Sequence, residues 1–266
     1  MNEPINEETI SQEKMSFLDH LTELRRRLIW SVLAVAILFG PAYYFSNEIF
    51  DFLMKPLIEN LPEGSSLIFT RPAEGFTTYL KVSFFAALFL AVPFILYQGW
   101  RFVAPALYKE EKQVVVPFIL FGTLFFAAGA AFCYYVASPP AFRFLLNEYS
   151  SEYVKAFPTI REGLSFLMAL IFGFGLVFEF PLIIFILARI GVVTSKWLRE
   201  KRKYAIIISA MIAAILTPTT DAISMMLMFV PIIVFYELGI LVAWLFGKKK
   251  KQEDTDEDDA EEEMFK

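Results

Sequence analysis

The chain has 266 residues, 57% of them hydrophobic and 17% aromatic, with 30 Phe and a formal net charge of −5. Soluble domains run about 45–50% apolar, so this composition excludes an ordinary soluble globule and indicates an integral membrane protein. A single Cys (Cys133) and a single His (His20) exclude an internal disulfide and a Cys/His metal cluster, and no metal or cofactor is expected.

The amino-terminal tail, residues 1–15, is polar and acidic. It lacks the basic start and short apolar core of a cleaved leader, so the first apolar stretch is read as a retained span. Phe17, Leu18, Leu21, Leu24 and Leu28 recur at helical spacing and predict an amphipathic helix running into the membrane. On its polar side Glu23 lies one turn from Arg26 and Arg27. That spacing suits an intrahelical ion pair worth about 0.2–0.5 kcal/mol, or a carboxylate open to a cation from elsewhere.

A hydrocarbon core of about 30 Å needs roughly 20 apolar helical residues. Candidate spans are 28–45, 77–101, 113–136, 164–189, 203–216 and 222–246. Between the first two, 51–58 predicts a short amphipathic helix over the outer ends of the spans, and Ser138-Pro-Pro140 opens a second outer piece after span three. The hinge after span two carries Trp100, Phe102, Pro105, Tyr108, Glu110 and Glu111, more than a short turn requires. The two carboxylates can form a solvated cluster with Lys109 and Lys112, or receive a cationic partner. Glu179 falls near the middle of span four, followed by Pro181. A charge there costs about 2.5–3.5 kcal/mol on insertion scales, so it must face protein or water or be protonated. Span five is short, Glu237 interrupts span six, and together they predict a hairpin shorter than the bilayer with Asp221 as a helix cap.

Lys and Arg number seventeen on the side holding both termini and six in the longer opposite loops, which predicts cytoplasmic termini and six spans. The acidity of the chain is largely in residues 248–266, a basic then acidic tail expected to be disordered. The domain plan is therefore a tail at 1–15, a six-span unit at 16–247 and a tail at 248–266. Catalysis is not expected: the only His lies outside the spans, no Walker or dinucleotide loop is present, and no uninterrupted span carries an Asp.

These motifs, in this order, resemble the TatC family, the polytopic subunit of the twin-arginine protein translocase. The resemblance covers about residues 16–247. It rests on His20-Leu-Thr-Glu-Leu-Arg25-Arg-Arg-Leu28, Pro93-Phe-Ile-Leu-Tyr-Gln-Gly-Trp100-Arg-Phe102, Pro105-Ala-Leu-Tyr108-Lys-Glu-Glu111, Phe178-Glu-Phe-Pro181 and Leu216-Thr-Pro218 with Asp221. It implies an all-α, six-span, glove-like bundle with short fifth and sixth helices in the bacterial plasma (inner) membrane. It implies a signal-peptide receptor that exports folded proteins using the proton-motive force. Glu23 and Glu111 would receive the paired arginines, in a site shaped by Arg25, Phe102, Pro105 and Tyr108. Glu179 would meet a partner's membrane helix, and Thr217, Asp221 and Met225 would mark the edge where TatA/TatB-type single-span proteins dock. Twin-arginine signal peptides, lipid and further copies of the chain are the other implied partners; nucleic acid is not. The sequence departs from the family at an extra residue between Pro218 and Asp221 and at Met225, where many relatives carry Gln. Two other readings remain: a proton-coupled small-molecule transporter with Glu179 as carrier, and a membrane scaffold.

Overall fold

The computed structural model describes residues 7–103, 115–147, 156–216 and 222–247. The amphipathic segment and the first span form one helix, α1 (Glu7–Tyr44), as the continuous periodicity predicts. The chain turns at Phe45 into α2 (Ser46–Ile58), which buries Leu53, Met54, Pro56 and Leu57 and is the amphipathic helix expected between the first two spans. The Tyr134 hydroxyl donates to Phe52 O at 2.6 Å, and the two rings stack with centroids 4.4 Å apart. Span two is α3 (Glu74–Val103), packed along α1.

The third span does not stop at 136. α4 (Val115–Phe132) passes through a π turn, Cys133–Ala137, straight into α5 (Ser138–Asn147). Pro139 and Pro140 lack the amide protons that ordinary helical bonding needs. The wider turn accommodates them: the Ser138 amide donates to Cys133 O, and its hydroxyl donates to Tyr134 O at 2.8 Å. The fourth span also differs from the single helix expected over 164–189. α6 (Ile160–Phe178) and α7 (Phe180–Ile190) meet at Glu179. Pro181 has no N–H for the carbonyl four residues back and its ring crowds it, so the ladder breaks one turn ahead of the proline.

After the short α8 (Ser195–Glu200), α9 (Arg202–Leu216) has 15 residues and α10 (Ala222–Phe246) has 25. At 1.5 Å per residue these reach about 22 Å and about 37 Å. The fifth helix is short as expected, but the sixth is neither short nor broken at Glu237. That carboxylate accepts from Arg202 at 2.6 Å instead of disrupting its helix. Five described segments are long and apolar enough to cross a membrane: Leu21–Tyr44, Glu74–Phe102, Val116–Asn147, Ile160–Ile190 and Ala222–Phe246.

The main core lies where α4, α6 and the ends of α2 and α10 meet, around Met54, Leu57, Leu164, Leu167, Phe174 and Met228. At the opposite end Trp100 and Phe118 pack against Leu182, Ile186 and Ile190. The basic segments around Arg26, Arg101 and Arg189 are thereby gathered at that same end.

Candidate functional site

Three groups of polar residues stand out against the apolar background. The first is at the basic end, where α1 meets α3. Glu23 lies on the polar face of α1, partly exposed, and its Oε1 accepts from Arg27 at 2.7 Å. The i,i+4 pair allowed by the spacing therefore forms, with Arg27 rather than Arg26. Arg25 is exposed and Phe102 is half-buried at the end of α3. Arg26 and Arg27 line one cavity with Tyr97 and Arg101, which brings the start of span one and the end of span two together. Trp100 is buried and stacks obliquely on Phe118 at 4.8 Å, anchoring the start of the hinge. Pro105, Tyr108, Glu110 and Glu111 lie outside the described residues.

The second group surrounds Glu179. Its side chain is buried at 6% exposure, and Oε1 has no hydrogen-bond partner among the described residues. α4 approaches it through Gly122, where an added Cβ would sit 2.7 Å from Leu96 Cδ1 and 3.3 Å from Glu179 Oε2. The backbone break at this residue and the close approach of three helices leave a carboxylate oxygen in an apolar interior. Such a group is stable only if neutral or if a further polar partner reaches it.

The third group was expected at the start of α10. Thr217 and Asp221 lie outside the described residues. Met225 is half-buried and packs against the main core, so its side chain is not simply presented at an edge.

Two polar contacts were not anticipated from the sequence. Glu74, 3% exposed, accepts from the backbone N–H and hydroxyl of Thr70 at 2.7 and 3.0 Å, and from the Arg71 N–H at 3.3 Å. Its other oxygen accepts from the Arg161 N–H at 3.1 Å. It thus ties the loop before α3 to the start of α6, beside the isolated parallel bridge between Ile68 and Thr159. The available signal was an acidic residue shortly after a proline, at a helix start. The second is the ion pair of Arg202 with Glu237, beside a bond from the Tyr236 hydroxyl to Leu198 O at 2.6 Å. No local pattern links residues 35 apart.

Comparison with known proteins gives one answer. The family model for Sec-independent protein translocase protein (TatC) matches residues 19–231. The TatC of Desulforapulum autotrophicum is 42% identical, over 94% of this chain and 91% of its own length. That of Escherichia coli K12 is 38% identical, over 91% of this chain and 94% of its own. A crystal structure of the twin arginine translocase receptor TatC superposes with a TM-score of 0.76 at 37% identity, covering 84% of this chain and 97% of that one.

Proposed function

This chain belongs to the TatC family of Sec-independent protein translocase proteins, and from that premise we propose that Glu23 and Glu111 receive the paired arginines of an export signal. It is the signal-peptide receptor and core subunit of a twin-arginine translocase.

The observation that carries the proposal is the state of Glu23. Its carboxylate is partly exposed, and among the described residues it is paired with Arg27, one turn along the same helix. Such an intrahelical pair is worth about 0.2–0.5 kcal/mol. An incoming guanidinium offers two parallel charge-assisted hydrogen bonds, where bonds to charged groups contribute about 1.5–3 kcal/mol each. Arg27 is therefore a weak competitor for the Glu23 carboxylate when a substrate arginine arrives. A lysine in the substrate has no planar fork and gains less, which accounts for a signal built on arginine. Arg25, Phe102, Pro105 and Tyr108 shape this site, with Glu111 supplied by the loop after span two.

The rest of the cycle is proposed by analogy with the family. Six spans with cytoplasmic termini in the bacterial inner membrane form the receptor. TatA/TatB-type single-span proteins dock along α9 and α10 near Thr217, Asp221 and Met225, and Glu179 meets a polar group on an inserted helix. Folded cargo moves at the expense of the proton-motive force. The buried carboxylate and the chain break at Glu179 are the features that favour a proton-carrying solute transporter, and Pro181 accounts for the break without a bound ion.

The deciding experiment is export of a folded twin-arginine reporter in cells whose only copy of this subunit carries Glu23→Ala or Glu111→Ala. Export should fall at least about tenfold, the effect of losing roughly 1.4 kcal/mol of binding, while other secretion continues. Normal export in both variants would remove the two glutamates from the site. Proton-driven solute uptake by the purified subunit would favour the transporter.

A further inference from the structure

We propose that the cavity between α1 and α3 at the basic end is a binding site for the phosphodiester headgroup of an anionic phospholipid. Arg26, Arg27, Trp30, Tyr97, Gln98 and Arg101 line it, and its volume is about 320 Å³. That is about ten times the ~30 Å³ a water molecule occupies, room for a headgroup and not only for a small ion.

Charge decides what fits. Arg27 is paired with Glu23, but neither Arg26 nor Arg101 has a carboxylate within ion-pair distance among the described residues. Arg101 lies over the Tyr97 ring, 5.7 Å from its centroid, which holds the guanidinium at the cavity wall. The Arg27 Nε–H is buried with no acceptor among the described residues, and the buried Gln98 side-chain oxygen on the same wall has no donor among them. A phosphodiester brings one negative charge and acceptor oxygens, the complement of the three guanidinium groups on this wall. Guanidinium forks pair with phosphate through two parallel bonds. A choline headgroup would add a cation beside the unpaired arginines, so an uncharged glycerol headgroup is preferred.

Position decides the source. The cavity sits where the polar start of α1 passes into its apolar stretch, beside Trp30, itself 46% exposed. The next residues, Ile29, Val32 and Leu33, are exposed, and only 11% of the apolar window of α1 is buried inside the protein. Acyl chains lying on that face would bring their phosphates level with the arginines, where aromatic residues mark the headgroup zone. The pocket borders the proposed signal-recognition site through Arg27, the partner of Glu23, whereas Arg26 and Arg101, the residues changed in the test, are not assigned to that site.

The test is native mass spectrometry of the full-length protein with equal amounts of dioleoylphosphatidylglycerol and dioleoylphosphatidylcholine, in wild type and in R26Q/R101Q. Two interfacial charges should favour the anionic lipid by about tenfold or more in wild type, and the double variant should lose most of that preference. R26Q and R101Q singly should fall between. Inorganic phosphate in millimolar excess should leave the bound lipid in place. Equal lipid preference in wild type and double variant overturns the proposal. So does displacement of the lipid by phosphate, which would make the cavity a free-anion site. Thiol labelling of the buried Cys133 should match wild type in each variant, showing that the fold is intact. If R26Q/R101Q fails that check, the single variants decide by the same criterion.

Discussion

Glu74 and Glu179 are both buried carboxylates, and their surroundings give them opposite expected responses to substitution. Four donors converge on Glu74, three on one oxygen and the Arg161 amide on the other. In Glu74→Gln the remaining oxygen can serve the Thr70 and Arg71 donors, but the amide group then faces the Arg161 N–H donor to donor. Glu74→Leu leaves all four donors without their acceptor, and buried donors without partners are destabilising. Thermal stability should therefore fall in the order wild type, Gln, Leu, with protease cleavage between residues 60 and 73 rising in the same order. Equal melting of wild type and the Leu variant would show that the loop before α3 does not need this tie. Glu179 has no such donors around Oε1. An amide of the same shape carries no charge to desolvate, so Glu179→Gln should unfold at or above the wild-type temperature. Export should nevertheless drop if a partner helix reads the carboxylate. A loss of both stability and export would instead make the residue structural.

At the scale of helices, the sequence carried existence and approximate position well, because hydrophobic runs of this length have few other uses in a chain. Breaks within them were harder to read. Pro139, Pro140 and Pro181 each remove a backbone donor, yet the first two are absorbed by a π turn and the third by a one-residue interruption at Glu179. Which outcome follows depends on whether a nearby hydroxyl, such as that of Ser138, can take up a freed carbonyl. Glu237 was expected to break its helix, and a cation 35 residues away on α9 settles the matter. Of the proposed recognition site, only the i,i+4 pairing of Glu23 with Arg27 was legible and is seen, whereas Glu111, Pro105 and Tyr108 fall outside the described residues. Helix contact is equally a matter of partners. A Cβ on Gly129 would meet the Phe174 carbonyl oxygen at 2.6 Å, and one on Gly175 would meet the Phe126 ring at 2.6 Å. A ring can turn aside but a helix backbone cannot, so Gly129→Ala should be the more damaging, by about 1–3 kcal/mol, and Gly175→Ala less. Because Cys133 is the only cysteine and is buried, the temperature at which it reacts with a thiol dye measures both variants. Equal shifts would mean that α4 and α6 can slide apart.

For the whole molecule, the position of α9 decides the topology. α10 is long enough to cross a membrane, and its far end returns to α7, with a Cβ on Gly247 placed 3.7 Å from that of Ala188. Near its start α10 joins the opposite cluster, where Met228 packs with Met54 and Leu57. The chain leaves α7 at the basic end through α8, and the six-span reading has α9 carry it to the other end before α10 brings it back. The charges agree: Arg189 to Lys203 and Lys248 to Lys251 flank the pair and call for the same side, which requires both helices to cross or neither. Fifteen residues reach about 22 Å against a core of about 30 Å, so a crossing by α9 would thin the bilayer around it or draw headgroups inward at its ends. A helix too short for its bilayer, with Ile207, Ile208, Met211 and Ile215 exposed along it, is a favourable place for a second helix to lie, since association covers apolar surface the membrane matches poorly. Alkaline phosphatase inserted between residues 218 and 219 should be active outside the cytoplasm, whereas a fusion after residue 266 should be inactive there and fluoresce when green fluorescent protein replaces it. An inactive enzyme at the first position, with the second unchanged, would mean that neither α9 nor α10 crosses and that the hairpin lies along the membrane surface.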